Sequence, residues 1–304
     1  SSDVCSSRSL IYNMLKTEGY KTWVGGNIGN PLFQDIEKIS KDDKVVLELS
    51  SFQLMTINEP MEVSLITNLA PNHLDIHKDM EEYIECKKNI FKFKRNSDLT
   101  VLNMDNDITN KMVPEVSGKV IQFSTLNELS SGAYFKENKL YYNSEKECDF
   151  EDIKLKGMHN VENLLAAFCC TGEDVSIDSM KKVATSFTGV EHRMEFVKEI
   201  NKVKYYNDSI ASSPTRTIAG LEAFNRQVIL IAGGYDKKIS FEPLAKKGIK
   251  YIKTLILMGN TKEKIKKAFD DELENSNIKL PIIIVDSLEE AVDKAKEKIG
   301  RAHV

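Results

Sequence analysis

Short apolar runs alternate with longer amphipathic stretches through most of this 304-residue chain. Leu10, Ile11, Met14 and Leu15 have helical spacing and predict a helix that ends near Gly19. The segments predicted to be strands lie at residues 21–24, 45–47, 63–69, 100–103 and 120–123. An alternation of buried strands with helices predicts a mostly parallel sheet with crossover helices, which is the α/β class.

The pattern changes in the middle of the chain. Residues 134–142 are rich in aromatic and apolar residues on both sides of Glu137-Asn138, which predicts an antiparallel hairpin with its turn at that pair. A loop ending at Gly157 then leads into a helix rich in Leu and Ala. The first part of the chain is therefore predicted to combine a mostly parallel sheet with a small antiparallel part.

A second domain is predicted to begin near Arg226. Three further strand–helix units follow it, with strands at 227–231, 251–258 and 282–285. Ser287 and Glu290 have the capping-box spacing for the last helix. This segment is predicted to form a small doubly wound, Rossmann-like domain over residues 226–298.

Composition excludes several classes of protein. The net charge of −4 gives no electrostatic argument for nucleic-acid binding. No apolar run approaches the roughly 20 residues of a membrane helix, and we expect no membrane association. The five cysteines show no metal-binding spacing, and Cys169-Cys170 in an apolar helix are predicted to be buried thiols. We therefore expect a cytoplasmic protein, and a monomer.

The two ends of the chain are related at the level of DNA. Residues 300–304 can be encoded by a DNA whose opposite strand encodes Asp-Val-Cys-Ser-Ser, which is the peptide at residues 3–7. That DNA resembles a sequencing adapter. We expect about residues 1–9 and 299–304 to be non-native, with a chance match as the alternative, and we set both segments aside in functional reasoning.

Three groups with metal-site chemistry follow consecutive elements. Glu48 ends an apolar strand, His73 follows the next strand, and Lys87 lies in the helix after it. Ligands of open α/β sheets bind at the carboxyl ends of strands, so these groups are expected to meet at one edge of one sheet. A carboxylate and an imidazole can share Mg²⁺, and lysine can join them only as a carbamate. Each residue also has a simpler interpretation: a capping carboxylate, a loop histidine and a solvated lysine.

Other polar groups suggest an anion or nucleotide site. Asn160 and Asn163 are one helical turn apart, although Asn160 could instead cap the helix. Arg193 can bind phosphate or carboxylate, with a surface salt bridge as the alternative. Asp208 follows a strand and can reach a phosphate or metal-bound water, with a simple turn as the alternative. Lys237 follows a Gly-Gly bend that can bring it to an anion, although such a bend is weak support by itself.

The order of these pieces resembles that of the Mur ligases, the ATP-dependent amide-forming enzymes of peptidoglycan synthesis. The matching segments are Gly-Gly-Asn-Ile-Gly (25–29), Glu-Leu-Ser-Ser-Phe-Gln-Leu (48–54), Asn-His-Leu-Asp (72–75), Tyr-x-x-x-Lys (83–87), Met-His-Asn-Val-Glu-Asn (158–163), Glu-His-Arg-Met-Glu (191–195), Asn-Asp-Ser (207–209) and Gly-Gly-Tyr-Asp-Lys (233–237). The segment 48–54 discriminates among family members and favours one that adds D-glutamate. The resemblance implies a central ATP- and Mg-binding domain over 10–225 and an incomplete Rossmann-like domain over 226–298.

The resemblance also implies roles. Cofactors would be ATP and Mg²⁺, and the substrates UDP-N-acetylmuramoyl-L-alanine and D-glutamate, joined through an acyl phosphate. The implied metal ligands are Glu48, His73 and a carbamylated Lys87. The implied ATP contacts are Asn160, Asn163, Arg193 and Asp208, and the implied substrate contacts are Asn27, Ser50, Ser51 and Lys237.

Two departures from the family pattern matter. Ile210 follows Asp208-Ser209 where many members have a lysine; Thr215 or Arg216 could substitute for it. The family's G-x-x-G-K-T phosphate loop does not occur in this sequence, so we expect the chain as written to have no ligase activity. The alternatives are a sister Mur ligase that adds a different amino acid and a non-catalytic nucleotide-binding protein.

Overall fold

The computed structural model describes residues 2–27, 32–71, 77–155, 157–189, 193–224, 226–274 and 276–299. Contacts between residues divide the chain into two compact units. The first unit is Ser1–Ala70 with Asp79–Ile210, and the second is Pro71–Lys78 with Ala211–Val304. Both units combine helices with parallel strands, which confirms the predicted α/β class. The domain boundary predicted near Arg226 falls inside the second unit and stays a prediction.

The first unit is built from an alternating series of helices and strands. Its helices are α1 (Ser2–Glu18), α2 (Ser51–Leu54), α3 (Met80–Lys92), α4 (Asp107–Lys111), α5 (Met158–Thr171) and α6 (Ile177–Ser186). Its strands are β1 (Thr22–Gly26), β2 (Lys44–Glu48), β3 (Val63–Ile66), β4 (Leu99–Asn103), β5 (Lys119–Ser124), β6 (Ala133–Lys136), β7 (Lys139–Tyr142), β8 (Glu145–Asp149), β9 (Glu195–Ile200) and β10 (Val203–Asn207). Short 3₁₀ helices occur at Leu32–Lys38, Val113–Glu115 and Phe150–Asp152.

The main sheet of this unit has six strands in the order β3-β4-β5-β6-β7-β8. The pairs from β3 to β6 are parallel, and the pairs β6–β7 and β7–β8 are antiparallel. Glu137 and Asn138 have φ of 50° and 58°, the left-handed conformation that a tight hairpin turn requires. The predicted hairpin is therefore confirmed. Two smaller sheets are the parallel pair β1–β2 and the antiparallel pair β9–β10.

Helix α5 lies at the centre of the hydrophobic core of this unit. Phe123 of β5, Leu140 of β7 and Phe168 of α5 are each 0% exposed and belong to one cluster. Cys169 and Cys170 are buried in the same helix, as the sequence predicts. Burial raises the pKa of Cys170 to about 12, so its thiol stays protonated and behaves as an apolar side chain.

A network of hydrogen bonds around Asp43 lies beside the first residues of strands β1 and β2. The Asp43 carboxylate accepts hydrogen bonds from Lys21 Nζ at 2.9 Å and from Trp23 Nε1 at 2.6 Å. Ser40 donates both its hydroxyl and its backbone N–H to the same carboxylate. The hydrogen bonds from Lys21, Trp23 and Ser40 hold the pKa of Asp43 well below its ordinary value. The network therefore favours the ionised carboxylate in the folded state.

The second unit contains a three-stranded parallel sheet. Its elements are α7 (Pro214–Ala223), β11 (Val228–Gly233), α8 (Glu242–Gly248), β12 (Ile252–Met258), α9 (Lys262–Glu274), β13 (Ile282–Ile284) and α10 (Leu288–Ile299). The strand order β11-β12-β13 confirms the three predicted strand–helix units. Ser287 Oγ accepts from Glu290 N, as predicted for a capping pair. The Glu290 carboxylate accepts from the backbone N–H of Asp286, one residue before Ser287, rather than from that of Ser287 itself.

Within the described ranges, no helix has both the length and the apolar character needed to cross a membrane.

Candidate active site

The Glu48 side chain is 2% exposed at the carboxyl end of β2, the position predicted for a ligand-binding carboxylate. Gly26 of β1 is paired with Glu48 in the parallel ladder, and Asn27 N donates to Glu48 O at 2.7 Å. Gly26 has φ of +113°, and a Cβ there would lie 2.1 Å from Glu48 O. Only glycine permits this close approach, which holds Asn27 beside Glu48.

A cation lies next to the buried Glu48 carboxylate. Arg8 NH1 is 3.5 Å from Glu48 Oε2, and the two side chains are 12% and 2% exposed. A buried carboxylate of this kind requires a positive partner, because desolvation of an unpaired charge is costly. Arg8 lies in the segment 1–9, and its expected non-native origin stays a prediction. The pair shows that the Glu48 carboxylate is accompanied by a cation in the folded chain.

The segment after Glu48 turns directly into the short helix α2. Ser50 is its N-cap and forms a capping box with Gln53: Gln53 N donates to Ser50 Oγ at 3.2 Å, and Ser50 N donates to Gln53 Oε1 at 2.9 Å. Ser51 follows and is 2% exposed. The Ser-x-x-Gln spacing is a sequence signal for this cap that the functional interpretation did not use. The expected substrate contacts of Ser50 and Ser51 stay predictions.

Lys87 reaches the end of β2 from helix α3. Its Nζ donates to Leu49 O at 3.2 Å, across 38 positions of sequence, and the side chain is half-buried. Lys87 is thus bonded next to Glu48 rather than solvated. Strand β2 pairs with β1, while β3 pairs with β4 in another sheet, so the expected edge of one sheet is not what joins these groups. Helix α3 brings the lysine to β2 instead.

His73 lies outside the described residues, and its metal-binding role stays a prediction. The chain leading towards it is held by a residue that the sequence analysis missed. Asn106, the N-cap of α4, donates from Nδ2 to Asn68 Oδ1 at 2.6 Å and to Leu69 O at 3.1 Å. An Asn at a predicted helix start signals a cap, but its bond to residues 68–69 depends on tertiary structure.

Because magnesium prefers oxygen ligands, the predicted metal site can be judged by the oxygen atoms that its residues offer. The buried Glu48 carboxylate is such a ligand, and the Lys87 amine is bonded to the backbone oxygen of the next residue, Leu49. Among residues whose positions are described, no three His, Cys, Asp or Glu side chains form a metal-binding group. The donor set therefore fits Mg²⁺ only if His73 and a carbamylated Lys87 complete it.

A second group of predicted residues lies at the start of α5. Gly157, with φ of +105°, is the N-cap, so the alternative that Asn160 caps this helix is wrong. Asn160 and Asn163 are 7% and 2% exposed on consecutive turns. Asn163 Oδ1 accepts from Ser7 Oγ at 2.6 Å. Its Nδ2 has no hydrogen-bond partner among the described residues, so a buried donor is available for an acceptor such as a purine nitrogen.

An apolar depression adjoins Asn160. The side chains that line it are Leu10, Ile153, Leu155, Asn160, Leu164, Ala184 and Phe187. The depression is too narrow to admit a molecule the size of water, so it is packed apolar surface and offers no ligand site by itself.

Arg193 and Asp208 are brought together by the antiparallel pair β9–β10. Arg193 NH1 lies 3.3 Å from Asp208 Oδ1, which also accepts from Met194 N at 3.0 Å. The two side chains are 4% and 23% exposed, so the pair is not the surface salt bridge of the alternative interpretation. Ser209 N donates to Asn207 Oδ1 at 3.0 Å, which shows that a turn does form beside Asp208.

Lys237 lies in the second unit, after β11. Gly233 has φ of +141°, and a Cβ there would lie 1.8 Å from Met258 O, so the bend requires glycine. Lys237 Nζ donates to Ser212 Oγ at 2.9 Å, just before helix α7. Nothing in the sequence pattern linked Ser212 to Lys237.

Two family profiles match the chain. The Mur ligase middle domain matches residues 4–171, and the Mur ligase, glutamate ligase domain matches residues 192–304.

Similar curated proteins come from clostridia. A UDP-N-acetylmuramoylalanine--D-glutamate ligase of Clostridium tetani (strain Massachusetts / E88) is 64% identical over 292 residues, which cover 96% of this chain and 64% of that protein. The protein of the same name from Clostridium novyi (strain NT) is 63% identical, with the same coverage. The chain thus spans 64% of the length of these relatives.

Solved structures share the fold. MurF from Acinetobacter baumannii has a TM-score of 0.72 at 13% identity, covering 96% of this chain and 74% of that one. Folylpolyglutamate synthase of Mycobacterium tuberculosis, complexed with ADP and AMPPCP, has a TM-score of 0.72 at 12% identity, covering 99% and 83%. At these identities the likeness shows the fold alone.

Proposed function

The chain belongs to the Mur ligase family, and from that membership we propose that the complete protein joins D-glutamate to UDP-N-acetylmuramoyl-L-alanine with consumption of ATP. The observation that carries the proposal is the 64% identity to a relative named for this reaction. The aligned stretch of 292 residues covers 96% of this chain.

The proposed reaction has two chemical steps. The γ-phosphoryl group of ATP passes to the substrate carboxylate, which gives an acyl phosphate and releases ADP. The neutral amine of D-glutamate then attacks the acyl carbon, and phosphate and one proton of the amine leave as the amide bond forms. Both steps depend on charge stabilisation and on the orientation of the reacting oxygens.

We assign the metal-holding role to Glu48, His73 and Lys87. When bound, Mg²⁺ neutralises charge on the transferred phosphoryl group and orients its oxygens. Lys87 would supply oxygen as a carbamate, formed when CO₂ adds to the neutral amine and the nitrogen loses one proton. The bond from Lys87 Nζ to Leu49 O supports this role, because it holds the nitrogen at the backbone of the residue that follows Glu48.

We assign the nucleotide to the face formed by Asn160 and Asn163. The buried Asn163 donor supports adenine binding there, because it has no hydrogen-bond partner among the described residues. Arg193 and Asp208 would contact the ribose and phosphates. Their ion pair supports this role, because the Asp208 carboxylate fixes the guanidinium in one orientation.

The substrates would be bound by two further groups. Asn27, Ser50 and Ser51 would contact the muramoyl substrate, and their proximity to Glu48 supports that assignment. Lys237 would pair with a carboxylate of D-glutamate, and the bond to Ser212 limits the positions that its amine can take.

The test is phosphate release by the complete gene product that carries this sequence, with ATP, the muramoyl substrate and one amino acid at a time. We expect turnover only when the amino acid supplied is D-glutamate. Turnover with another amino acid would favour a sister ligase, and nucleotide binding without turnover in any combination would favour a non-catalytic protein.

A substitution of Lys87 tests the proposed carbamate directly in this assay. Lys87→Ala should lower turnover by on the order of 100-fold, because a group that stabilises transition-state charge is lost. Short carboxylic acids should restore part of the rate by replacing the carbamate. Lys88→Ala is the matched control, since Lys88 pairs with Glu85 and Glu115 instead. Equal losses for the two variants would refute the proposed role of Lys87.

A further inference from the structure

We propose that Asn89 is a positioning residue of the candidate active site, and that it holds the segment carrying Glu48, Ser50 and Ser51. Its effect on turnover rests on the function proposed above. Its effect on the segment itself does not.

The proposal starts from a hydrogen bond between helices α3 and α2. Asn89 Nδ2 donates to Leu54 O at 3.0 Å, across 35 positions of sequence. Leu54 is the last residue of α2, and its side chain is 1% exposed. Carbonyl groups at the end of a helix lack partners within that helix. The Asn89 amide therefore satisfies an acceptor at a buried helix end.

Helix α2 has particular need of an external support. It has four residues, far fewer than the roughly 12–15 that an isolated helix requires for stability in water. Its internal support is the capping box between Ser50 and Gln53 at its start. The capping box supports only the start of α2. The last residue of the helix, Leu54, is supported by the hydrogen bond from Asn89.

Helix α3 holds both ends of the same segment. Lys87 Nζ is bonded to Leu49 O at its start, and Asn89 Nδ2 is bonded to Leu54 O at its end. The bond of Lys87 involves a group that the proposed mechanism also modifies. The Asn89 amide carries no charge and does not titrate, so its bond is independent of the chemical state of Lys87.

The support itself is fixed to the main sheet. Ser64 of β3 donates from Oγ to Ile90 O of α3 at 2.7 Å. Asp79 caps the start of α3 by accepting from Glu82 N at 2.9 Å. Site residues retain their geometry when the elements behind them are rigid. Loss of the Asn89 bond should therefore loosen α2 while α3 stays in place.

The kinetic test uses Asn89→Ala in the complete gene product. We expect KM for the muramoyl substrate to rise about 3- to 10-fold, the usual range for one lost hydrogen bond, because Ser50 and Ser51 lose their fixed position. The turnover number should change by less than about twofold, since Asn89 does not touch the reacting atoms. Asn89→Gln keeps an amide donor on a longer stem and should recover part of the loss.

Ser64→Ala is the matched control. It removes a hydrogen bond between α3 and β3 but leaves the Asn89 bond to Leu54 O and the Asp79 cap of α3 in place, so KM for the muramoyl substrate should rise clearly less than in Asn89→Ala. A general destabilisation of α3 would affect both variants alike. An equal rise in KM for Ser64→Ala and Asn89→Ala, or no rise for Asn89→Ala, would overturn the positioning role.

A second readout does not require activity. Leu54 N donates to Ser50 O at 3.1 Å and Met55 N donates to Ser51 O at 3.2 Å, so hydrogen exchange at these amides reports opening of α2. In the 304-residue chain, Asn89→Ala should speed their exchange about 3- to 10-fold, and Ser64→Ala should speed it clearly less. If the unmodified protein shows no turnover, the proposed function fails, while exchange still decides whether Asn89 holds α2. Unchanged exchange in Asn89→Ala would overturn the proposal.

Discussion

Gly26→Ala tests whether the close approach of β1 to β2 fixes the candidate site. Gly26 has φ of +113°, and an added Cβ would lie 2.1 Å from Glu48 O. Gly19, at the end of α1, also has φ of +113°, but a Cβ there would meet nothing within 4 Å. Gly19→Ala is therefore a matched control that carries the same backbone strain without the clash.

The two variants should differ by the steric part of the cost. An L-residue in such a sparsely populated conformation costs about 1–3 kcal/mol of folding free energy, and both variants lose this amount. In Gly26→Ala the contact must also open from 2.1 Å to at least 3.0 Å. That shift disrupts the 2.7 Å bond from Asn27 N to Glu48 O, and an unmade buried bond costs about 1–3 kcal/mol more.

Urea unfolding monitored by tryptophan fluorescence measures this difference directly. The protein has one tryptophan, and Trp23 lies in β1, three positions before Gly26. We expect the unfolding free energy reported by Trp23 to fall about 1–3 kcal/mol further in Gly26→Ala than in Gly19→Ala, with an unchanged denaturant slope. Equal losses would refute the argument that the backbone of Glu48 excludes a side chain at position 26.

Three further predictions concern the folded state. Phe168→Ala should lower the unfolding free energy by about 3–5 kcal/mol in urea titrations, because it empties a fully buried site beneath the main sheet. Because the pKa of Asp43 is lower in the folded than in the unfolded state, its carboxylate stabilises the fold above about pH 4, and this stability is lost as the pH falls towards the folded-state pKa. In Asp43→Asn, unfolding followed by Trp23 fluorescence should lose this dependence on acid pH. Cys169 and Cys170 should resist alkylation at pH 8 until the protein unfolds, which mass spectrometry of labelled peptides can establish.

Strands β4 and β5 were predictable because apolar side chains dominate their segments. These are Val101 and Leu102 in β4, and Val120, Ile121 and Phe123 in β5. The hairpin was predictable because Glu137-Asn138 can adopt the left-handed turn. Strand β8 was not predicted, since Glu145–Asp149 is mostly charged and pairs along the edge of the sheet at β7.

The candidate site was only partly predictable. Glu48 was recognisable because it ends an apolar strand, and Lys87 because it belongs to a spaced motif. Asn89 carries no such mark: it is a polar residue in a charged helix, and its importance depends on the carbonyl that it reaches in α2. Asn106 and Ser212 were missed for the same reason, because their partners are remote in sequence or lie in a loop.

The amino-acid sequence by itself indicated most of the strands and helices, which residue types stand at strand ends, and which family the chain resembles. These properties are local, since they depend on periodicity, capping and the order of short motifs. The tertiary structure decided that β2 and β3 belong to different sheets and that α3 carries Lys87 to Leu49. It also decided that Gly26 must be glycine, because the atom that excludes a side chain belongs to Glu48, on a neighbouring strand. Such contacts join residues far apart in the chain, so they exist only after the elements have packed.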